Sequence, residues 1–224
     1  MCGIAGVIHR GKTSDIGSEM TSMLTALKHR GPDSTGFAVY GKPADNNNEF
    51  VMRFKVAEQE DLNKGSNILS TIAERRAAVN GRMAEHNAKI LTEVDATEYA
   101  YRYAFSFDGD DAALEKMTRY IEELEGAEIL SLGRGLELVK DLGDANVVSD
   151  QYGLKGFQGT HALGHTRMAT ESDVDIRSAH PYWAYPYNDI SVVHNGQITN
   201  YWIMRRQMEF KGHRFLSNCD SEDR

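Results

Sequence analysis

Cys2 stands directly behind the initiator methionine in the opening stretch MCGIAGVIHRG. Removal of Met1 would leave a cysteine whose own α-amine lies beside its thiol. A free α-amine has a pKa of about 7.7–8.0 and a thiol one of about 8.5, so the amine accepts the thiol proton at small cost near neutral pH. One residue would then supply both nucleophile and base. By itself the stretch fits a buried apolar strand better, because free cysteine is among the most often buried residue types. The rest of the chain reverses that preference.

Four further polar motifs stand out: HRGPDSTG at 29–36, GHTRMAT at 164–170, VVHNGQITN at 192–200 and SNCDSE at 217–222. Each falls at the end of an expected strand or helix, where loops carry function. The guanidinium of Arg167 can grip a carboxylate through two parallel hydrogen bonds. An exposed, ion-pairing arginine is the plainer reading of the same residue. Asn195-Gly196 alone would signal a hairpin turn, but the following QITNYWIMRRQMEF reads as a helix and not as a returning strand. Asp220, taken singly, reads as solvated surface. The eight histidines are scattered along the chain and no metal site is expected.

These residues need a frame. Gly3 to Ile8 reads as a strand, and SDIGSEMTSMLTALKHRG as an amphipathic helix with Ser14 as N-cap and Met20, Met23, Leu24 and Leu27 on one face. STGFAVYG and EFVMRFKV read as strands around a polar KPADNNN connection. A helix is expected at about 67–80, then strands in AKILTEVDA and TEYAYRYAFSF. DDAALEKMTRYIEELEG places Leu114, Met117, Ile121 and Leu124 at helical spacing, with acidic residues in its first turn. ILSLGRGLELVKDLGD reads as a short strand and turn; its two glycines do not make a phosphate loop. GTHALGHTRMAT and DISVVHNGQITN read as strands entering a loop and a helix, and a last helix runs to Phe210. Strands and helices alternating in pairs imply an α+β protein with helices outside sheets.

Together with Cys2, the motifs resemble the class II glutamine amidotransferases. These are the Ntn-type glutaminase domains of glutamate synthase, of the amidophosphoribosyl- and glucosamine-phosphate-forming enzymes, and of asparagine synthetase. The resemblance covers nearly the whole chain and is strongest over 2–37 and 160–222. The order GHTRMAT, SAHP, HNGQITN, CDSE is closest to the glutamate synthase branch, especially the stand-alone amidotransferase subunits related to N-methylglutamate synthase. The long segment from about Gly41 to Gln158 favours the same branch.

The resemblance implies a single domain over 1–224, mature from residue 2, with the four-layer αββα sandwich of Ntn hydrolases. In the family the domain continues past the aspartate motif, so the sandwich is expected to be C-terminally truncated. Cys2 would attack L-glutamine, with the Asn195 side chain and the Gly196 backbone N–H holding the oxyanion. Arg167, with Thr170 nearby, would bind the α-carboxylate of glutamine, and Asp220 its ammonium. Arg30 and Asp33 would support the site without reacting. His180 and His194 are expected to be satisfied structural histidines, and Cys219 a buried thiol. Glu171 stands where many relatives carry a histidine. No cofactor is expected in this chain, and the ammonia would pass to a partner synthase subunit, flavin-bearing in that branch.

The 224 residues carry a net charge of -8, and no basic, aromatic-interleaved cluster suggests a nucleic-acid surface. No run approaches the ~18 apolar residues of a membrane span, and the two cysteines form neither a disulfide framework nor a zinc pattern. A cytoplasmic protein is expected. Two alternatives remain: the glutaminase end of a sugar-phosphate- or asparagine-forming enzyme, and a non-catalytic assembly subunit.

Overall fold

The computed structural model describes residues 2–31, 33–63, 67–168, 176–213, 215, 217 and 219–220. In chain order the strands are β1 (Gly3–Ile8), β2 (Ser14–Asp15), β3 (Ser34–Gly41), β4 (Glu49–Lys55), β5 (Lys89–Asp95), β6 (Ala100–Ser106), β7 (Glu128–Gly133), β8 (Leu136–Leu142), β9 (Gln158–Arg167), β10 (Tyr182–Trp183) and β11 (Ser191–Val192). The helices are α1 (Ile16–Ala26), α2 (Ile68–Glu85), α3 (Asp111–Glu122), α4 (Ala145–Gln151) and α5 (Tyr201–Phe210). The expected α+β class holds.

One sheet runs β1-β9-β3-β8, with β2 paired beside β1 on β9. All its pairings are antiparallel, so Gly3 faces Thr166, and Gly36 faces both His165 and Lys140. Alternation fixes two faces. A Cβ on Gly164 would touch Leu24 and Met20, so this side of the sheet carries α1. His165 and Arg167 therefore project from the opposite side. That face is crossed by the chain leading to β10, because a Cβ on Gly36 would lie 2.0 Å from the carbonyl oxygen of His180.

The second sheet has the order β5-β6-β4-β7. Phe54, Tyr101 and Tyr103 share one of its faces, where Arg76 of α2 lies over the Tyr101 ring and donates to the Tyr103 hydroxyl. The β7–β8 hairpin joins the sheets, and a single apolar cluster runs through both. Buried ion pairs reinforce the junction. Glu137 of β8 accepts from Arg53 of β4 and from Arg102 of β6 at 2.8 Å. Glu128 lies 3.2 Å from Lys140 and 3.7 Å from Lys55. The two ammonium groups hold the Glu128 carboxyl at about 2 against the upward push of burial.

Several expectations need correction. The segment read as a short strand and turn is the whole β7–β8 hairpin, and α4 was not anticipated. The strand expected before His194 shrinks to Ser191–Val192. The N-cap of α1 is Asp15, which accepts from Ser18 N, and not Ser14. Met23 is exposed, whereas Met20 and Leu24 are fully buried. The second helix extends to Glu85, past its expected end.

Candidate active site

Cys2 leads into β1, and β1 pairs with His161 to Thr166 of β9, so the cysteine is brought to the end of the strand that carries Arg167. Its half-buried sulfur lies 4.0 Å from the carbonyl oxygen of Met168. The loop before β3 closes around the same strand end. Asp33 N donates to Arg167 O at 3.1 Å, and Gly143 N donates to Asp33 O at 3.0 Å. A Cβ on Gly31 would sit 2.5 Å from the carbonyl carbon of Arg167. Only glycine allows this approach. Arg30, half-buried, ends the short helical turn Lys28–Arg30 just before it.

From the other side comes the segment after β11. The amide Nδ2 of Asn195 donates to the carbonyl oxygen of Cys2 at 3.0 Å. Its neighbour Gly196 is overhung by the His194 ring, whose Nε2 would lie 2.7 Å from a Cβ at that position. Asp220 anchors the segment, because its Oδ2 accepts from Ile198 N at 2.6 Å and its Oδ1 lies 3.9 Å from His194 Nδ1. Cys2, Asn195, Gly196, Arg167 and Asp33 thus gather at one end of the first sheet. Asp220 is joined to them through the Asn195 loop. Thr170 and Glu171 lie outside the described residues. Cys219 is half-buried and not buried, with its sulfur 3.9 Å from Asp220 Oδ1.

Beneath this end lies a feature that the sequence reading passed over. His165 is 1% and His180 5% exposed, with ring centroids 4.6 Å apart. None of the four ring nitrogens meets a hydrogen-bond partner among the described residues. The expectation that His180 is satisfied is therefore corrected. Burial, seconded by Arg167, lowers His165 to about 4. Burial, with His165 and Lys140 facing it, lowers His180 to about 2. Both rings are neutral near pH 7. The available signal was that each of two site motifs, GHTRMAT and SAHP, carries its histidine beside apolar residues. His161 and His165, four residues apart, lie on a strand and so about 13 Å apart, not on one helical face. Among the described residues no group of three His, Cys, Asp or Glu could hold a metal ion.

Asp189 is a second residue not foreseen. It adopts φ 58° and its carboxylate accepts from the backbone N–H groups of Arg134, Gly135 and Leu136 at 2.9, 2.7 and 2.8 Å. The glycine turn in LGRGLE therefore does bind an anion, but the anion is the protein's own carboxylate. The clamp fastens the β10–β11 hairpin, and with it the approach to Asn195, onto the β7–β8 turn.

A glutamine amidotransferase domain model matches residues 148–223. A protein of Methanothermobacter thermautotrophicus assigned as a glutamine amidotransferase is 38% identical over 223 residues, covering 99% of this chain and 70% of its own length. The glutamine amidotransferase-like protein GlxB of Rhizobium meliloti is 29% identical over 226 residues, covering 99% of this chain and 67% of its own. A glutamine--fructose-6-phosphate aminotransferase of Pyrobaculum aerophilum is 36% identical over 113 residues, 48% of this chain and 19% of its own. The chain belongs to the glutamine amidotransferase family. Among the described residues no helix is long and apolar enough to cross a membrane.

Proposed function

We propose that this chain is an Ntn-type, class II amidotransferase that hydrolyses L-glutamine through Cys2, built on the four-layer αββα sandwich of that group. The Cys2 thiol passes its proton to the α-amine freed by removal of Met1, and the sulfur adds to the side-chain carbonyl of glutamine. The C–N bond then breaks, the amine returns the proton to the departing ammonia, and water releases glutamate from the thioester. Asn195 and Gly196 receive the oxyanion, Arg167 and Thr170 the α-carboxylate, and Asp220 the ammonium. Arg30 and Asp33 hold the loop around Arg167. None of these steps calls for a cofactor in this chain.

The observation that carries this reading is the 3.0 Å contact of Asn195 Nδ2 with the carbonyl oxygen of Cys2. A side-chain amide has two N–H bonds, so one can fix the group to the nucleophile's own backbone while the other is left to meet an oxyanion. The ammonia is delivered to a separate synthase of the glutamate synthase or N-methylglutamate synthase type, flavin-bearing and cytoplasmic. Relatives that align along 99% of the chain are named for the amidotransferase alone, whereas the match to the fructose-6-phosphate enzyme stops at 48% of it. This favours the separate-synthase reading over a sugar-phosphate enzyme.

Intact mass before and after incubation with a diazo-ketone analogue of glutamine, with Cys2→Ala alongside, tests the proposal. The expected result is loss of Met1 and one adduct that disappears in the variant. A trimmed chain that takes no label would overturn the reading. Full glutaminase activity in a form that retains Met1 would remove the α-amine as the base.

A further inference from the structure

The dipeptide Asn-Gly occurs twice in the chain, at Asn80-Gly81 and at Asn195-Gly196. It is a reactive pair, because glycine has no Cβ to keep its backbone nitrogen away from the amide carbon of the preceding side chain. The two copies stand in opposite surroundings. Asn80 and Gly81 lie inside α2, where the helical ladder engages the Gly81 N–H and fixes the backbone. Asn195 and Gly196 are exposed, in the irregular segment between β11 and α5. Among the described residues the Gly196 N–H meets no acceptor.

The ring of His194 overhangs this glycine. Its Nε2 would lie 2.7 Å from a Cβ at Gly196, so a larger residue does not fit there without displacing the ring. Its Nδ1 lies 3.9 Å from Oδ1 of Asp220, whose Oδ2 is held by Ile198 N at 2.6 Å. A carboxylate on that side favours the proton on Nδ1 and leaves the lone pair on Nε2. A ring nitrogen so oriented and set against a backbone N–H is placed to act as a general base. The Asn195 amide, for its part, is held by the carbonyl oxygen of Cys2 at 3.0 Å.

We propose that Asn195-Gly196 is a self-modification site, at which the Gly196 nitrogen attacks Cγ of Asn195 and closes a succinimide ring. His194 Nε2 takes the N–H proton and hands it to the departing Nδ2, so the Cγ–Nδ2 bond breaks and ammonia leaves. Solvent water then opens the ring at either carbonyl, giving aspartate or isoaspartate. Net, one amide and one water become one carboxylic acid and one ammonia. The modification itself does not depend on the glutaminase reading above, but its consequence rests on that reading: a carboxylate replaces the amide donor beside Cys2, and negative charge stands where the oxyanion must form. The conflict is built in. An oxyanion site made of a side-chain amide and the next residue's unengaged N–H uses the same two groups that cyclise.

The experiment incubates the full chain at neutral pH, in native buffer and in concentrated urea, and follows both Asn-Gly peptides by digestion and mass spectrometry. In the folded chain we expect Asn195 to convert roughly tenfold or more faster than Asn80, and in urea the two to convert alike, since only the fold separates them. His194→Phe keeps the ring volume and removes its nitrogens. With thermal unfolding to confirm that it folds, it is expected to slow Asn195 roughly tenfold and leave Asn80 unchanged. Equal conversion of the two asparagines in the folded wild type would overturn the proposal, and a folded His194→Phe chain that converts as fast as wild type would overturn the part given to His194. Where wild type takes the diazo-ketone label, kcat is expected to fall in proportion to the fraction converted at Asn195. A wild type that takes no label yet converts at Asn195 would establish the modification and remove the glutaminase reading instead. Activity that survives full conversion would likewise establish it and remove the oxyanion role of Asn195.

Discussion

The side chain of Asn195 is hydrogen-bonded to the main chain of Cys2 across 3.0 Å, although the two residues are separated by 193 positions. In the proposed reaction this places the oxyanion donor at Cys2 before any substrate arrives, so its reorganisation cost would be small. Asn195→Ala removes the donor and leaves Arg167 and Asp220 untouched. The expected loss in kcat is roughly 10²–10³, or ~3–4 kcal/mol, with KM for glutamine little changed. Steady-state kinetics decide it, and an unchanged kcat would end the oxyanion assignment.

Gly31 is buried against the backbone of Arg167, and an added Cβ would lie 2.5 Å from its carbonyl carbon and 2.8 Å from its nitrogen. These are main-chain atoms held by β1 and β3, so they cannot swing aside as a side-chain tip would. Gly31→Ala is expected to destabilise by ~1–3 kcal/mol, the range for overpacking. It should also raise KM for glutamine, because the strand end that presents Arg167 must shift. Urea unfolding and a substrate titration read the two effects separately. A variant matching wild type in both would show that the loop gives way more easily than its packing implies.

Much of the frame could be read from residue order. The apolar spacing of α1 and α3 announced helices, and the alternation of STGFAVYG and AYRYAFS announced strands. The β7–β8 hairpin was hidden for a physical reason. Every residue of β7, and all but the last of β8, is buried, so polar residues such as Glu128, Glu137 and Lys140 do not mark a solvent face. They are inside because ion pairs from other strands meet them, and such partners are invisible in a local window. The site motifs were legible one by one, and β1–β9 pairing brings Cys2 to Arg167. The tilted contact of His165 with His180 and the Asp189 clamp were not, since each joins segments through contacts that no spacing rule encodes.

The two buried histidines make a definite prediction for acid. An unfolded chain protonates both below about pH 6.5, whereas the folded protein resists until about 4 at His165 and about 2 at His180. Unfolding therefore takes up protons, and stability is fully present above pH 6.5 and falls as the pH drops toward 4. Arg167, Lys140 and His194 face the pair and oppose its charging. Between pH 7 and pH 5 each histidine should cost ~1–2 kcal/mol. Carboxylates titrate alike in wild type and in a His165→Phe, His180→Phe double variant. The difference between their urea-unfolding free energies at the two pH values isolates the pair. Equal losses in both proteins would show that the rings are not held neutral.

Asp189 offers a test at a distance from Cys2. Its carboxylate is shared among three backbone N–H groups of the β7–β8 turn, and hydrogen bonds to a charged group contribute ~1.5–3 kcal/mol. Asp189→Ala leaves those groups without their acceptor and places alanine at φ 58°, where a Cβ without a polar tip is strained. The expected cost is ~2–3 kcal/mol. Asp189→Asn keeps one oxygen and tolerates the left-handed backbone, so it should retain more than half of the lost stability. The hairpin fastened by the clamp runs directly into His194 and Asn195, so the alanine variant should also lower kcat more than it raises KM. If alanine and asparagine behave alike in thermal unfolding, the carboxylate is not the clamp, and the hairpin is held by the Trp183 and Tyr182 contacts alone.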